Sequence, residues 1–218
     1  MAQPETHEQN SPAVVTFMTT EHFVLQTARS AGISEVNGRA GFYLAAVSSG
    51  LIALAFIGQL SRLGTAFYTF GLILLPTLAF TGVTTFERAL RNGVEDVQLA
   101  WRINQIRQFY FDTAPQVARY LPAPVPDTLA AIAVQAGVSS PSWYQFLTIA
   151  GALAVVDSVL IGGAAGLAVQ AGTGTLAASA AAGVITGAAA LAAHLARQRA
   201  IWRAAAQQAA PLPSPAAR

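Results

Sequence analysis

The stretch GALAVVDSVLIGGAAGLA, Gly151–Ala168, is apolar and dotted with glycine except for one carboxylate, Asp157. An α-helix crosses the hydrocarbon core of a bilayer in roughly 20 mostly apolar residues, and uncharged flanks carry this run from about Gln145 to Gln170. Read as a core helix, it belongs to a soluble all-α protein; read as a span, it belongs to a polytopic membrane protein. Core helices seldom run so far without further charge, and three other segments repeat the pattern: Gly41–Ser61, Thr65–Phe86 and Leu176–Leu195. The last of these is mostly alanine. It gains little insertion free energy per residue and is expected to insert paired with the third.

Composition points the same way. The hydrophobic fraction is 54%, the charged fraction 10% and the mean hydropathy +0.48, against about 25% charged residues in soluble domains. The expected fold class is therefore all-α: an integral membrane protein with four transmembrane helices in two hairpins joined by a cytoplasmic helical segment. One hairpin turns at Arg62–Gly64 and the other at AGTGT, residues 171–175. A net charge of +2 gives no reason to expect nucleic acid as a partner, and the absence of cysteine closes disulfide and thiolate chemistry. The first twenty residues lack a basic n-region and a long apolar core, so no cleaved secretory signal is expected.

Arginine distribution orients the chain, because cytoplasmic loops carry the excess positive charge. Arg29 and Arg39 precede the first span; Arg88, Arg91, Arg102, Arg107 and Arg119 lie between the second and third; Arg197, Arg199, Arg203 and Arg218 follow the fourth. Only Arg62 falls in a hairpin on the other side, which places both termini at the cytoplasmic face of the cell (inner) membrane. Phe42, Tyr43, Phe67, Tyr68, Trp143, Tyr144 and Trp202 stand near span ends, as an aromatic belt requires.

The polar remainder organises around these spans. Residues 1–20 read as a disordered N-terminus and 21–40 as a short cytoplasmic or interfacial helix with a break near Gly32. The first hairpin occupies 41–86. Between Glu87 and Tyr144, ERALRNGVEDVQLAWRINQIRQFYFD has apolar residues at helical spacing, forming a long amphipathic helix or one bent at Gly93. Glu87, Arg91 and Glu95 stand at i, i+4 spacing along it. Its Arg91, Trp101, Arg102, Arg107 and Tyr110 are the candidate cytoplasmic contact surface. Pro115, Pro122, Pro124 and Pro126 then end the helix. Asp127 can cap a short helix closed by Gly137, and Ser140 with Pro141 can open the third span. The second hairpin occupies 145–196 and a cytoplasmic tail 197–218.

Asp157 falls in the middle of a span drawn from Gln145 to Gln170, where an ionised carboxylate costs a few kcal/mol. It must face protein or water. Counting to similar depth on the other spans gives Ser48, Ser49, Thr77 and Thr186 as its hydrogen-bond partners, with His194 two turns nearer the cytoplasm, facing headgroups. Two roles are open: Asp157 lines a proton or cation path, or a protonated Asp157 fixes helix packing. Gly162 with Gly166, and Gly183 with Gly187, have the GxxxG spacing that lets helix backbones approach in lipid. The Ala/Gly-rich second pair is accordingly expected inside the bundle, with the bulkier first pair toward lipid.

No catalytic constellation is present: Ser48 and Ser49 have no neighbouring histidine, and the three histidines, His7, His22 and His194, form no metal-ligand spacing. The glycine clusters follow no strand and precede no Lys-Ser or Lys-Thr, so no phosphate loop is built. No cofactor, metal or enzymatic activity is expected.

The order of features in SEVNGRAGFYLAAVSSG, a tight hairpin and TFERALRNGVEDVQLAWRINQIRQFY resembles the small bacterial membrane proteins whose two-helix hairpin continues into a cytoplasmic helix, including the SLATT-type domains of nucleotide-signalled defence systems. The resemblance spans about Glu21 to Asp112. It implies an oligomeric membrane effector that forms or gates a pore when a cytoplasmic protein partner signals. The functional expectation is a non-enzymatic, homo-oligomeric pore-forming or scaffold component in the lipid bilayer. The alternative is a small transporter or ion conductor using Asp157.

Overall fold

The computed structural model describes residues 11–120, 146 and 148–208, and every regular element among them is helical. Helix α1 is Pro12–Leu60, α2 Thr65–Thr113, α3 Ile149–Thr173 and α4 Leu176–Gln208, with a 3-10 turn at Pro115–Arg119. All four are long and apolar enough to cross a membrane. The proline-rich stretch after Tyr120, the short helix expected after Asp127, and the Ser140–Pro141 start signal lie outside the described residues, as do Trp143, Tyr144 and the last ten residues.

Local chemistry sets the helix ends. Ser11 Oγ accepts the Val14 amide at 3.3 Å and Pro12 occupies the first turn, where its missing N–H costs nothing. The helix expected over 21–40 therefore begins earlier, inside the segment expected to be disordered. It also runs through Gly32 without a break. A helical glycine costs about 1 kcal/mol relative to alanine; a Cβ at Gly32 would sit 2.7 Å from Asn92 Oδ1, so a larger residue there would require the Asn92 side chain to turn away. Helix α2 likewise continues unbroken past Pro76 and Gly93; proline is tolerated in apolar spans where other groups re-satisfy the freed carbonyl. It stops ahead of Pro115, and the Ala114 amide closes the last turn on Tyr110 O at 2.9 Å.

Between α1 and α2, Arg62 and Leu63 adopt left-handed backbone, φ 49° and 58°. This curls the chain so that the Leu63 amide reaches Gly58 O at 2.9 Å, and each non-glycine residue held there costs about 1–2 kcal/mol. Thr148 caps α3, its hydroxyl accepting the Gly151 amide at 3.0 Å, so α3 starts four residues after Gln145. Its end is set by Gly174, φ 66°, whose amide bonds Gln170 O. Helix α4 extends through the region read as a tail, to Gln208.

The chain divides into two compact units. One comprises Met1–Ser34, Asn92–Ser140 and Ala206–Arg218. Its core is Leu25 against Ile103 and Ile106, flanked by Met18, Leu99 and Tyr110. Arg29 forms a two-pronged pair with Asp96, Nε to Oδ1 at 2.6 Å and Nη2 to Oδ2 at 3.0 Å. The Tyr110 hydroxyl donates to Met18 O at 3.2 Å and its ring stacks on His22 with centroids 5.8 Å apart.

His22 makes this unit sensitive to acid. Its Nδ1 is buried with no hydrogen-bond partner among the described residues. Burial first, and the Arg107 guanidinium second, hold its pKa below the usual 6.5. The folded unit then binds fewer protons than the unfolded chain, so the His22 packing is at full strength above pH 6.5 and is lost as pH falls through the folded value. Amide exchange, corrected for intrinsic rates, should therefore be faster in residues 18–29 at about pH 5 than at about pH 7.5. His22→Phe should remove the difference, and equal protection at both pH values would refute the assignment.

The second unit comprises Glu35–Arg91 and Pro141–Ala205. Its core takes Val36, Ala40, Tyr43 and Val47 from α1, Leu75, Leu78, Ala79, Phe86, Ala89 and Leu90 from α2, and Ala150, Leu153, Ala154 and Leu160 from α3. The spacing 36, 40, 43, 47 is the alternating four-and-three step of a packed helix seam. Against the expectation that the Ala/Gly-rich pair lies inside, 6% of the most apolar window of α4 is buried, compared with 33% for α3. Helix α4 meets its neighbours along one narrow stripe, which includes Ser179, His194, Gln198 and Ala205.

Candidate functional site: a buried carboxylate joining four helices

Asp157 is the ninth residue of α3, roughly 12 Å along the helix at 1.5 Å per residue. It lies before the middle of α3 and meets residues other than those counted to the same depth. It is 0% exposed. Tyr43 of α1 approaches with its hydroxyl 3.4 Å from Oδ1. His194 of α4 brings Nε2 to 3.2 Å from Oδ2. Gly82 of α2 completes the enclosure: a Cβ there would collide with Asp157 Oδ1 and stand 2.5 Å from the Tyr43 hydroxyl. Each of the other three helices thus supplies one wall of the carboxylate's site.

His194 is itself fixed from several sides. Phe86 meets its ring edge-to-face at 4.6 Å between centroids. Its Nδ1 lies 2.8 Å from Ala190 O and 3.5 Å from Ser158 Oγ. The Nε2–Oδ2 contact is within ion-pair reach, yet Oδ2 has no aligned hydrogen-bond donor among the described residues. The distance carries the interaction; small rotations of either side chain align it.

The expected partners are elsewhere. Ser48 is exposed and donates to Leu44 O at 2.9 Å; Thr77 is exposed and donates to Ile73 O at 2.7 Å. Ser49 is exposed and Thr186 half-buried, two turns before His194. Hydroxyls in helices commonly satisfy themselves on the preceding turn, which leaves the carboxylate to the two ring-bearing residues. Nor does His194 face the headgroups: it is buried, and it is the partner that depth counting assigned to another level. The signal that could have found it is that the long apolar runs Gln145–Gln170 and Leu176–Leu195 carry one acid, Asp157, and one imidazole, His194.

The four glycines of the second helix pair do come together. A Cβ on Gly162 would sit 2.6 Å from Gly183 O, and one on Gly166 would sit 3.0 Å from Ser179 O and 3.6 Å from the Gly183 Cα. On Gly187, a Cβ would meet Ser158 O at 3.2 Å. A groove of about 710 Å³ follows this seam, with Ser158, Gly163 and Gln170 on one side and Ser179, Val184 and Ala188 on the other.

Charged pairs flank the cluster. Glu87 accepts from Arg197 Nε at 2.6 Å and Nη2 at 3.1 Å, while Arg91, its expected i+4 partner, stays 3.9 Å away. Glu35 accepts from Arg88 at 2.9 Å and from Arg39 at 3.0 Å. Arg197 and Arg88 respectively hold the Glu87 and Glu35 carboxyls below their usual pKa. These surface pairs add little stability, but they tie α2 to α4 and α1 to α2. Of the proposed contact surface, Arg91 and Arg102 are exposed, Trp101 and Arg107 half-buried, and Tyr110 is engaged with Met18 and His22. Among the described residues no three His, Asp or Glu side chains group as a metal site.

In comparisons with protein-family models, curated proteins and solved structures, nothing matches this chain.

Proposed function

We propose that the protein is a non-enzymatic, multi-pass protein of the bacterial inner membrane, built as two transmembrane hairpins with both termini in the cytoplasm. In this reading it works as an oligomeric pore-forming or signalling component that presents a cytoplasmic helical surface to a protein partner. The observation that carries the reading is the complete enclosure of Asp157 by side chains of Tyr43 and His194 and by Gly82. A carboxylate walled in by all its neighbouring helices serves as a joint, so function falls to surfaces outside the bundle. Exposed Arg91 and Arg102 supply such a surface on α2.

A second reading, ion or proton conduction, draws on one feature: Asp157 Oδ2 lacks an aligned donor and faces a second titratable group at 3.2 Å. Asp157→Asn separates the two. The amide is nearly isosteric and can donate to His194, so assembly and cross-linking between copies in vesicles should persist with no change in ion leak. Abolished ion-coupled flux with intact assembly would overturn the joint reading in favour of conduction. Arg102→Glu should instead reduce capture of a cytoplasmic partner while leaving the bundle folded.

A further inference from the structure

The atoms around His194 fix where its protons lie. Nδ1 faces Ala190 O at 2.8 Å, and a backbone carbonyl only accepts. The other group near Nδ1 is Ser158 Oγ, whose own hydrogen is committed to Ala154 O at 2.6 Å. Both neighbours of Nδ1 are therefore acceptors, and Nδ1 carries a hydrogen. A neutral imidazole protonated at Nδ1 presents a bare Nε2, and here Nε2 stands 3.2 Å from Asp157 Oδ2, a contact that a small side-chain rotation aligns. Two bare acceptors held this close repel one another, so the contact is favourable with a proton on one of them.

We infer that Asp157 and His194 form a single-proton binding site, holding one proton between Oδ2 and Nε2 in addition to the fixed Nδ1 hydrogen. With the proton on either atom the pair has no net charge, as aspartate with imidazolium or as aspartic acid with imidazole. Removing it leaves a net negative charge in apolar surroundings; adding another leaves a net positive one and sets two hydrogens against each other. Both states are penalised far more in a bilayer than in water.

The groups facing the pair agree with a neutral unit. From α1 it meets the Tyr43 hydroxyl, from α2 the Phe86 ring, and from α3 the Ser158 hydroxyl. The nearby charges, Glu87 of α2 and Arg197 of α4, neutralise each other. The site thus lets an acid and an imidazole enter the membrane together, where each alone carries an insertion penalty. It deepens the joint reading above and rests on His194 geometry, not on that reading's cytoplasmic surface.

The test is a proton count by solid-state NMR on the full chain in lipid vesicles, with ¹⁵N-histidine and ¹³C-aspartate labels. Subtracting the His194→Gln spectrum identifies the His194 signals. The expected result is a protonated Nδ1 together with one proton shared by Nε2 and the Asp157 carboxyl. In Asp157→Asn, Nε2 should become a bare acceptor while Nδ1 stays protonated. A bare Nδ1 in the native protein would overturn the inference, as would an imidazolium beside a protonated Asp157, or an ionised Asp157 beside a bare Nε2. Should Asp157→Asn fail to assemble, the native spectrum alone still decides. Ion leak through these vesicles is a separate readout, so the proton count and the joint reading can fail independently.

Discussion

Gly82→Val should abolish recovery of the assembled protein. The added Cβ falls onto Asp157 Oδ1 and within 2.7 Å of Asp157 Cγ, and both Asp157 and Tyr43 are 0% exposed, with nowhere to retreat. Overpacking of a tight core costs about 1–3 kcal/mol. Pushing the carboxylate off His194 adds the penalty of breaking a buried pair, about 3–5 kcal/mol. Together these approach the 5–15 kcal/mol that separates a typical folded domain from its unfolded chain. Gly82→Ala should fall between the native protein and valine. Gly38 provides the control, because a Cβ there meets nothing within 4 Å; Gly38→Ala should be neutral or stabilising by up to about 1 kcal/mol through helix propensity. Size-exclusion profiles in detergent and limited proteolysis read the outcome. A Gly82→Val protein as monodisperse and protease-resistant as the native one would show that the carboxylate is not held where it stands.

The second large effect is a loss followed by a rescue. His194→Leu leaves Asp157 enclosed without its partner, at a cost of about 3 kcal/mol on the scale of inserting a carboxylate into a span. The variant should accumulate poorly and lose protease resistance. Asp157→Leu in the same chain removes the stranded charge, and replacing both members of a buried pair by apolar groups is often close to neutral. The double variant should therefore recover most of the assembled fraction. Two independent losses, each as large in the double variant as alone, would mean that the residues do not act on one another.

The four long apolar helices were legible because they follow from composition along the chain: twenty-residue windows without charge. The joint was half legible. Asp157 announced itself as the one acid in an apolar run, but its partners depended on relative depth. Asp157 stands level with Tyr43 and His194 and not with Ser48, Ser49, Thr77 and Thr186, which is set by how the helices pack against one another and not by any one span. A break is expected near Gly32, and a bend at Gly93 is the alternative to an unbroken helix, because glycine weakens isolated helices; in the structure both helices run on without interruption. The position of α4 reversed for a related reason. Small residues permit close approach on one stripe, and alanine elsewhere on the same helix is equally content facing outward.

The 37 residues separating Asp157 from His194 also have a temporal meaning. At about 5–20 residues per second of synthesis, the acid leaves the ribosome roughly 2–7 seconds ahead of the imidazole that neutralises it. In the membrane reading proposed above, the nascent third helix carries its acid unpaired throughout that interval, at a cost of a few kcal/mol. On that reading, a polypeptide ending before residue 194 lacks the acid's partner and should insert less completely than the full chain.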